Sequence, residues 1–142
     1  MFSTYLLLLL LMPLTFGLLG IGLGRRQSAA VMGRLTCNEE PARGIKVKLV
    51  EKQIVFDRLM DEDRTDVYGD FYLNGSEREI TKIDPKLNIY HKCNYDGFCK
   101  RRFSITIPDN FITEGTVPAK TFDIGTINLA SKFAGEIIDC LN

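Results

Sequence analysis

Apolar and polar residues alternate with a period of two through most of the chain beyond residue 24. Ile45, Val47 and Leu49 alternate with Lys46, Lys48 and Val50. Leu87, Ile89, His91 and Cys93 alternate with Asn88, Tyr90 and Lys92, and Phe103, Ile105 and Ile107 with Arg102, Ser104 and Thr106. Side chains at i and i+2 share one face of a strand, so each run predicts a strand with a buried and an outer face. Val31, Gly33, Leu35 and Cys37 predict an earlier strand, and Phe71 with Leu73 a short one. Phe122 and Ile124 share one phase while Ile127 and Leu129 share the other, so the slip at Gly125 predicts a β-bulge. Turn-forming residues separate these runs at 38–44, 66–70, 84–85, 94–97 and 108–115, and Asn74-Gly75 carries a strong hairpin-turn signal. Residues 131–138 are compatible with a short helix. Strands at this spacing predict an all-β sandwich or barrel.

The first 24 residues follow a different pattern. They carry no charged side chain, run unbroken apolar from Leu6 to Met12, and reach Gly20, Gly22 and Gly24 just before Arg25 and Arg26. An apolar core, small residues and a polar start read as a secretory signal peptide over 1–24. The competing reading is a membrane anchor, since 5–24 is just long enough to span a bilayer. Residues 25–142 then form one domain with no further membrane span. Eighteen basic and eighteen acidic residues cancel, which disfavours a nucleic-acid partner.

Four cysteines, Cys37, Cys93, Cys99 and Cys140, accompany the leader. An even count in an exported chain of this size points to disulfides. Zinc is disfavoured, because no CxxC occurs and five residues separate Cys93 from Cys99. Four cysteines allow three pairings, and spacing does not choose among them. The acidic residues Asp57, Asp61, Glu62, Asp63 and Asp66 lack the Asp-x-Asp-x-Asp-Gly order of a calcium loop and read as a solvated loop. No metal and no cofactor are expected. His91 is the sole histidine, and alternation turns it inward with Leu87 and Ile89, as a neutral core residue rather than a catalytic one. Asn74-Gly75-Ser76 is an N-glycosylation sequon.

Six fragments occur in order: Gly33-Arg34-Leu35-Thr36-Cys37, Thr65-Asp66-Val67-Tyr68-Gly69-Asp70-Phe71, Ile83-Asp84-Pro85, Ile89-Tyr90-His91-Lys92-Cys93, Ile107-Pro108-Asp109, and Phe122 through Leu129. Together they resemble the nematode transthyretin-like family of secreted proteins, over roughly Gln27 to Cys140. The resemblance implies a prealbumin-like (transthyretin-like) sandwich of two sheets with about seven strands. It also implies that all four cysteines gather at one pole, paired Cys37–Cys93 and Cys99–Cys140. Asp66 would cap a turn, Gly69 would take positive φ and Phe71 would enter the core. The same fold hosts hydroxyisourate hydrolases, which use several histidines, an arginine and a C-terminal Tyr-Arg-Gly-Ser. This chain has one histidine and reads Cys140-Leu141-Asn142, so no catalytic residue carries across.

In the implied fold the strands holding Lys46 and Lys48, Tyr90 and Lys92, and Arg102 are neighbours. Their outer sides would form a basic face with one aromatic, edged by Lys100 and Arg101. Such a face suits an anionic lipid head group, a sulfated glycan or an acidic receptor, although strands also carry lysine to resist edge pairing. The expectation is a secreted extracellular protein acting by surface recognition, as carrier, bridging factor or signalling ligand. Its partner would be an extracellular protein or an anionic or lipid ligand. The enzyme reading is the disfavoured alternative.

Overall fold

A computed structural model describes residues 24–142, so the leader expected over 1–24 lies outside the described residues except for Gly24. Among the described residues ten strands form: β1 (Arg25–Cys37), β2 (Glu40–Pro41), β3 (Lys46–Glu51), β4 (Arg58–Arg64), β5 (Asp70–Glu79), β6 (Pro85–His91), β7 (Lys100–Thr106), β8 (Thr113–Glu114), β9 (Phe122–Asn128) and β10 (Ile137–Asp139). The expected two-sheet sandwich is present, with β1, β3, β4, β5, β6, β7 and β9 as its long strands. In the first sheet β1 is central. It pairs antiparallel with β5 from Arg25↔Glu79 to Arg34↔Asp70 and in parallel with β9, while β2 and β8 add short pairings. The second sheet has the order β10-β7-β6-β3-β4 and is antiparallel throughout.

The core lies between the sheets, with Val31, Leu35 and Leu73 facing Val47, Leu49, Leu87, Ile89 and Phe103. These are the residues that the period-two pattern turned inward. The phase slip in β9 is a bulge: Met32 and Arg34 of β1 pair with Asp123 and Thr126, so β9 carries an extra residue beside Gly125, whose φ is +76°. The Thr65 to Phe71 fragment is structural, as expected. Asp66 Oδ1 accepts the N–H groups of Tyr68 and Asp70 at 2.9 Å each. Gly69 takes φ +80°, and a Cβ there would lie 2.2 Å from the carbonyl oxygen of Leu35, so only glycine fits. Phe71 joins the core.

Three local expectations are overturned. Of the acidic stretch only Asp57 and Asp66 lie outside the strands; Asp61, Glu62 and Asp63 belong to β4, not to a loop. That strand has no apolar alternation because it lies at the end of the second sheet's strand order, where charged side chains guard against further pairing. Asn74-Gly75 is not a turn but lies inside β5, opposite Ala30 and Ala29. A Cβ at residue 75 would stand 2.7 Å from the carbonyl oxygen of Met60, so this glycine serves the close approach of β4 to β5. Residues 131–138 form turns leading into β10 rather than a helix, because Ile137 and Ile138 pair with Arg102 and Arg101 of β7.

Both disulfides have the pairing that the resemblance implied, Cys37–Cys93 and Cys99–Cys140. The first joins the end of β1 to the residues after β6 and so links the two sheets. The second ties the start of β7 to the residue after β10. Beside the first bridge the side chains of Asn38 and Asn94 exchange two hydrogen bonds at 2.8 and 2.9 Å.

Candidate functional site

The outer face of the second sheet can be built strand by strand. In register across it stand Arg64 of β4, Lys46 of β3, Tyr90 of β6 and Arg102 of β7. One row towards the middle come Glu62, Lys48, Asn88 and Ser104. Period-two alternation adds Lys92 and Lys100 at the disulfide pole. The predicted face therefore exists as a set of neighbours, but the structure divides it in two.

Towards the disulfide pole, Lys46, Arg64, Lys92 and Lys100 have no carboxylate within 4 Å among the described residues. They are close enough to act on one another. Partial burial, followed by the charges of Lys46, Arg64 and Lys92, pulls the Lys100 ammonium below its ordinary value, against the opposing pull of Asp139. Arg64 and Lys100 were not among the residues singled out for this face. Arg64 was missed because β4 read as a loop, and Lys100 was placed only at the edge.

The other cations of this face, Lys48, Lys86 and Arg102, are each matched. Lys48 lies 3.5 Å from Glu62, Arg102 lies 3.6 Å from Asp139 and Lys86 lies 2.9 Å from Asp57. Burial opposes ionisation of Asp57, yet the Lys86 ammonium and the N–H of Gln53 hold its carboxyl below the usual carboxylate range. Tyr90 points outward as expected but is not available as a surface aromatic: it is 3% exposed. Lys48 Nζ sits 5.2 Å from its ring centroid. The residues after β10 also fold back across the face, and Lys48 Nζ donates to Asn142 Oδ1 at 2.6 Å. Asp139 organises that tail. Burial opposes its ionisation, but the N–H groups of Leu141 and Asn142, at 2.8 and 3.0 Å, hold its carboxyl below the ordinary range.

Arg101 does not edge the basic face. It alternates inward, is buried, and donates to the carbonyls of Cys93 at 3.0 Å and Ser131 at 2.9 Å, with Glu136 at 2.8 Å as counter-ion. It is a clamp that holds the 129–136 segment to β7. Its neighbour in register is His91, which is 2% exposed. His91 Nδ1 accepts the N–H of Cys93 at 3.0 Å, and the ring meets Phe103 edge-on. Burial, reinforced by Arg101 and opposed by Glu136, lowers its pKa to about 4. His91 is therefore a neutral core residue at neutral pH. Among the described residues no cluster of three metal-ligating side chains forms, and no helix is long and apolar enough to cross a membrane.

A family model described as the Transthyretin-like family matches residues 32–108. Among curated proteins, the chain is similar to Transthyretin-like protein 5 of Caenorhabditis elegans, with 48% identity over 124 residues, covering 84% of this chain and 88% of that one. Transthyretin-like protein 2 of the same organism is 43% identical over 129 residues, with 84% and 86% covered. Transthyretin-like protein 46 is 43% identical over 132 residues, with 89% and 73% covered.

Proposed function

The chain belongs to the transthyretin-like family, and from that premise we propose that it is a secreted, non-enzymatic binding protein that recognises polyanionic surfaces outside the cell. The observation that carries this reading is the cluster of Lys46, Arg64, Lys92 and Lys100. Four cations held together without carboxylate partners raise the local positive potential of a chain whose net charge is zero. Burial of the sole histidine, with Nδ1 already engaged by the Cys93 N–H, supports a non-catalytic role.

Heparin affinity chromatography and flotation with anionic vesicles test the reading side by side, and the two arms separate glycan from lipid sources of the same charge. Retention that falls steeply with salt is expected in at least one arm. The combined variant Lys46→Glu, Lys92→Glu and Lys100→Glu should lose it with an unchanged circular dichroism spectrum. Binding that survives charge reversal, or is absent from both arms at low salt, defeats the proposal. Turnover of hydroxyisourate above the uncatalysed rate would favour the enzyme reading instead. The sequon at Asn74 stands on an exposed position of β5. A mass loss on N-glycosidase treatment of protein from a secretory host is the expected sign that it carries a glycan.

A further inference from the structure

The matched half of the outer face is concave. A cleft of about 470 Å³ opens there between the β3–β4 loop and the tail after β10. Its size lies in the range of small-molecule sites. The floor is Asn88 and Tyr90, both buried, and Ser104 Oγ donates to Asn88 Oδ1 at 2.6 Å. Asn88 Nδ2 in turn donates to the Tyr90 hydroxyl at 3.4 Å, and among the described residues that hydroxyl donates to no acceptor. One wall is apolar and uncovered, with Val55 77% and Phe56 82% exposed beside Leu59. Lys48 and Arg102 also line it, as does the Asp57 carboxylate, whose charge is already taken up by Lys86 at 2.9 Å.

Exposed aliphatic and aromatic side chains in one cleft with two cations and a polar floor call for a ligand with two ends. The chain itself shows what these cations accept: an amide oxygen of Asn142 on Lys48 and the carboxylate of Asp139 beside Arg102. The carboxylates already there stand 3.5 and 3.6 Å from the two cations, longer than a charge-assisted hydrogen bond of about 2.8 Å. A carboxylate entering between Lys48 and Arg102 can make the shorter contacts that the resident acids do not. Its apolar body would then cover Val55, Phe56 and Leu59, removing them from water.

From this geometry we infer that the cleft is a binding site for a small amphiphilic monocarboxylate, a medium-chain fatty acid or an aryl acid, separate from the cationic cluster. One chain suffices to form it. The site differs from polyanion recognition in needing apolar contact, so it survives salt that screens exposed charges.

The test is a titration of the full-length secreted protein with decanoate and with 1-naphthaleneacetate. It is followed by amide chemical shifts at 0.5 M salt, with ligand kept below its micelle concentration. Saturable binding of at least one acid is expected, with the largest shifts at Val55, Phe56, Leu59 and Tyr90. Methyl decanoate should bind about tenfold more weakly than decanoate if the fatty acid is the ligand, the effect of one lost charge-assisted contact. Lys48→Ala and Phe56→Ser should each weaken the acid about tenfold, and Phe56 stands on an exposed loop whose substitution leaves the core intact. The inference is overturned by absence of saturable binding of both acids. It is equally overturned by shifts that map elsewhere, or by affinity that neither variant changes. Because heparin and vesicle binding are measured separately at low salt, either site can fail without the other.

Discussion

The two halves of one sheet face differ first in the supply of counter-charge. At the disulfide pole Lys46, Arg64, Lys92 and Lys100 stand together without carboxylates. Arg102, in the same row as Lys46 and Arg64, and Lys48 and Lys86 further along each have one, and the surface beside them is concave and partly apolar. The strands are the same and so is the residue chemistry. What separates the halves is which carboxylates reach them: β10 brings Asp139, the β3–β4 loop brings Asp57, and β4 brings Glu62, while the tail adds the Asn142 amide. A lysine on a strand stays a free charge only where no such segment arrives. The half with free cations suits a large polyanion, and the matched half suits a small ligand able to exchange for a resident oxygen.

The largest test of this division removes the segment that enforces it. Replacing Cys99 and Cys140 together by alanine opens a loop with sequence separation 41, and the chain-entropy account gives a loss of about 4 kcal/mol. Urea unfolding measures that loss. The same variant frees β10 and the tail, so Arg102 should lose Asp139 and join the free cations while Lys48 keeps Glu62, and heparin retention should move to higher salt. Replacing Cys37 and Cys93 should cost a similar amount of stability without that gain, because neither holds the tail. Equal heparin behaviour in the two double variants would remove the tail from the explanation.

Next in size is the acid response of the layer beneath the cationic cluster. The pKa of His91 is about 4 in the folded chain against 6.5 when unperturbed. The unfolded chain therefore binds this proton first. Stability is full above pH 6.5 and falls as the pH drops towards 4, by about 3 kcal/mol at most. The lowered carboxyls of Asp57 and Asp139 act in a separate window, since their contribution is lost only as the pH falls below about 4. His91→Asn places an acceptor near the Nδ1 position and should flatten the slope between pH 6.5 and 4 in urea titrations. An unchanged slope would assign the acid sensitivity elsewhere.

A smaller effect is expected at Asp139, which holds both Arg102 and the tail amides. Asp139→Ala should lower stability by about 1–2 kcal/mol, since hydrogen bonds to a charged group are lost. It should also strengthen heparin retention by releasing Arg102. Loss of stability without stronger retention would mean that Arg102 stays occupied when its carboxylate is gone.

Much of this architecture was legible in the residue pattern. Alternation placed the inward residues of β3, β6 and β7, the phase slip marked the bulge at Gly125, and the resemblance carried the cysteine pairing. The failures share a physical cause. The short-range rules read each residue against its sequence neighbours, whereas Asn74-Gly75 answers to Met60 across the sheets and β4 has a charged pattern suited to an edge. Tyr90 was assigned correctly to the outer side, but pleat direction says nothing about what later folds over it. Its cover comes from Lys48 and from a tail some fifty residues further along the chain. Arg101 shows the same limit in reverse. Among the consecutive cations Lys100, Arg101 and Arg102 only alternation separates an inward clamp from two outer charges, and only Glu136 and the carbonyls of Cys93 and Ser131 make the inward position tolerable.

The smallest and most discriminating prediction applies one substitution to both halves. Lys100→Gln removes a cation crowded by Lys46, Arg64 and Lys92, so like-charge repulsion is relieved. Lys48→Gln removes a cation that faces Glu62 and Asn142, so an attraction is lost. Both effects are partly screened by solvent, and each change in stability should stay within about 0.5–1 kcal/mol. Their signs should nonetheless be opposite, with Lys100→Gln neutral to stabilising and Lys48→Gln destabilising. Urea midpoints at 10 mM and 500 mM salt provide the check, since the gap between the two variants should narrow as salt rises. Variants that shift together, or a gap indifferent to salt, would show that counter-charge is not what divides the face, and the polyanion and small-acid sites would lose their common explanation.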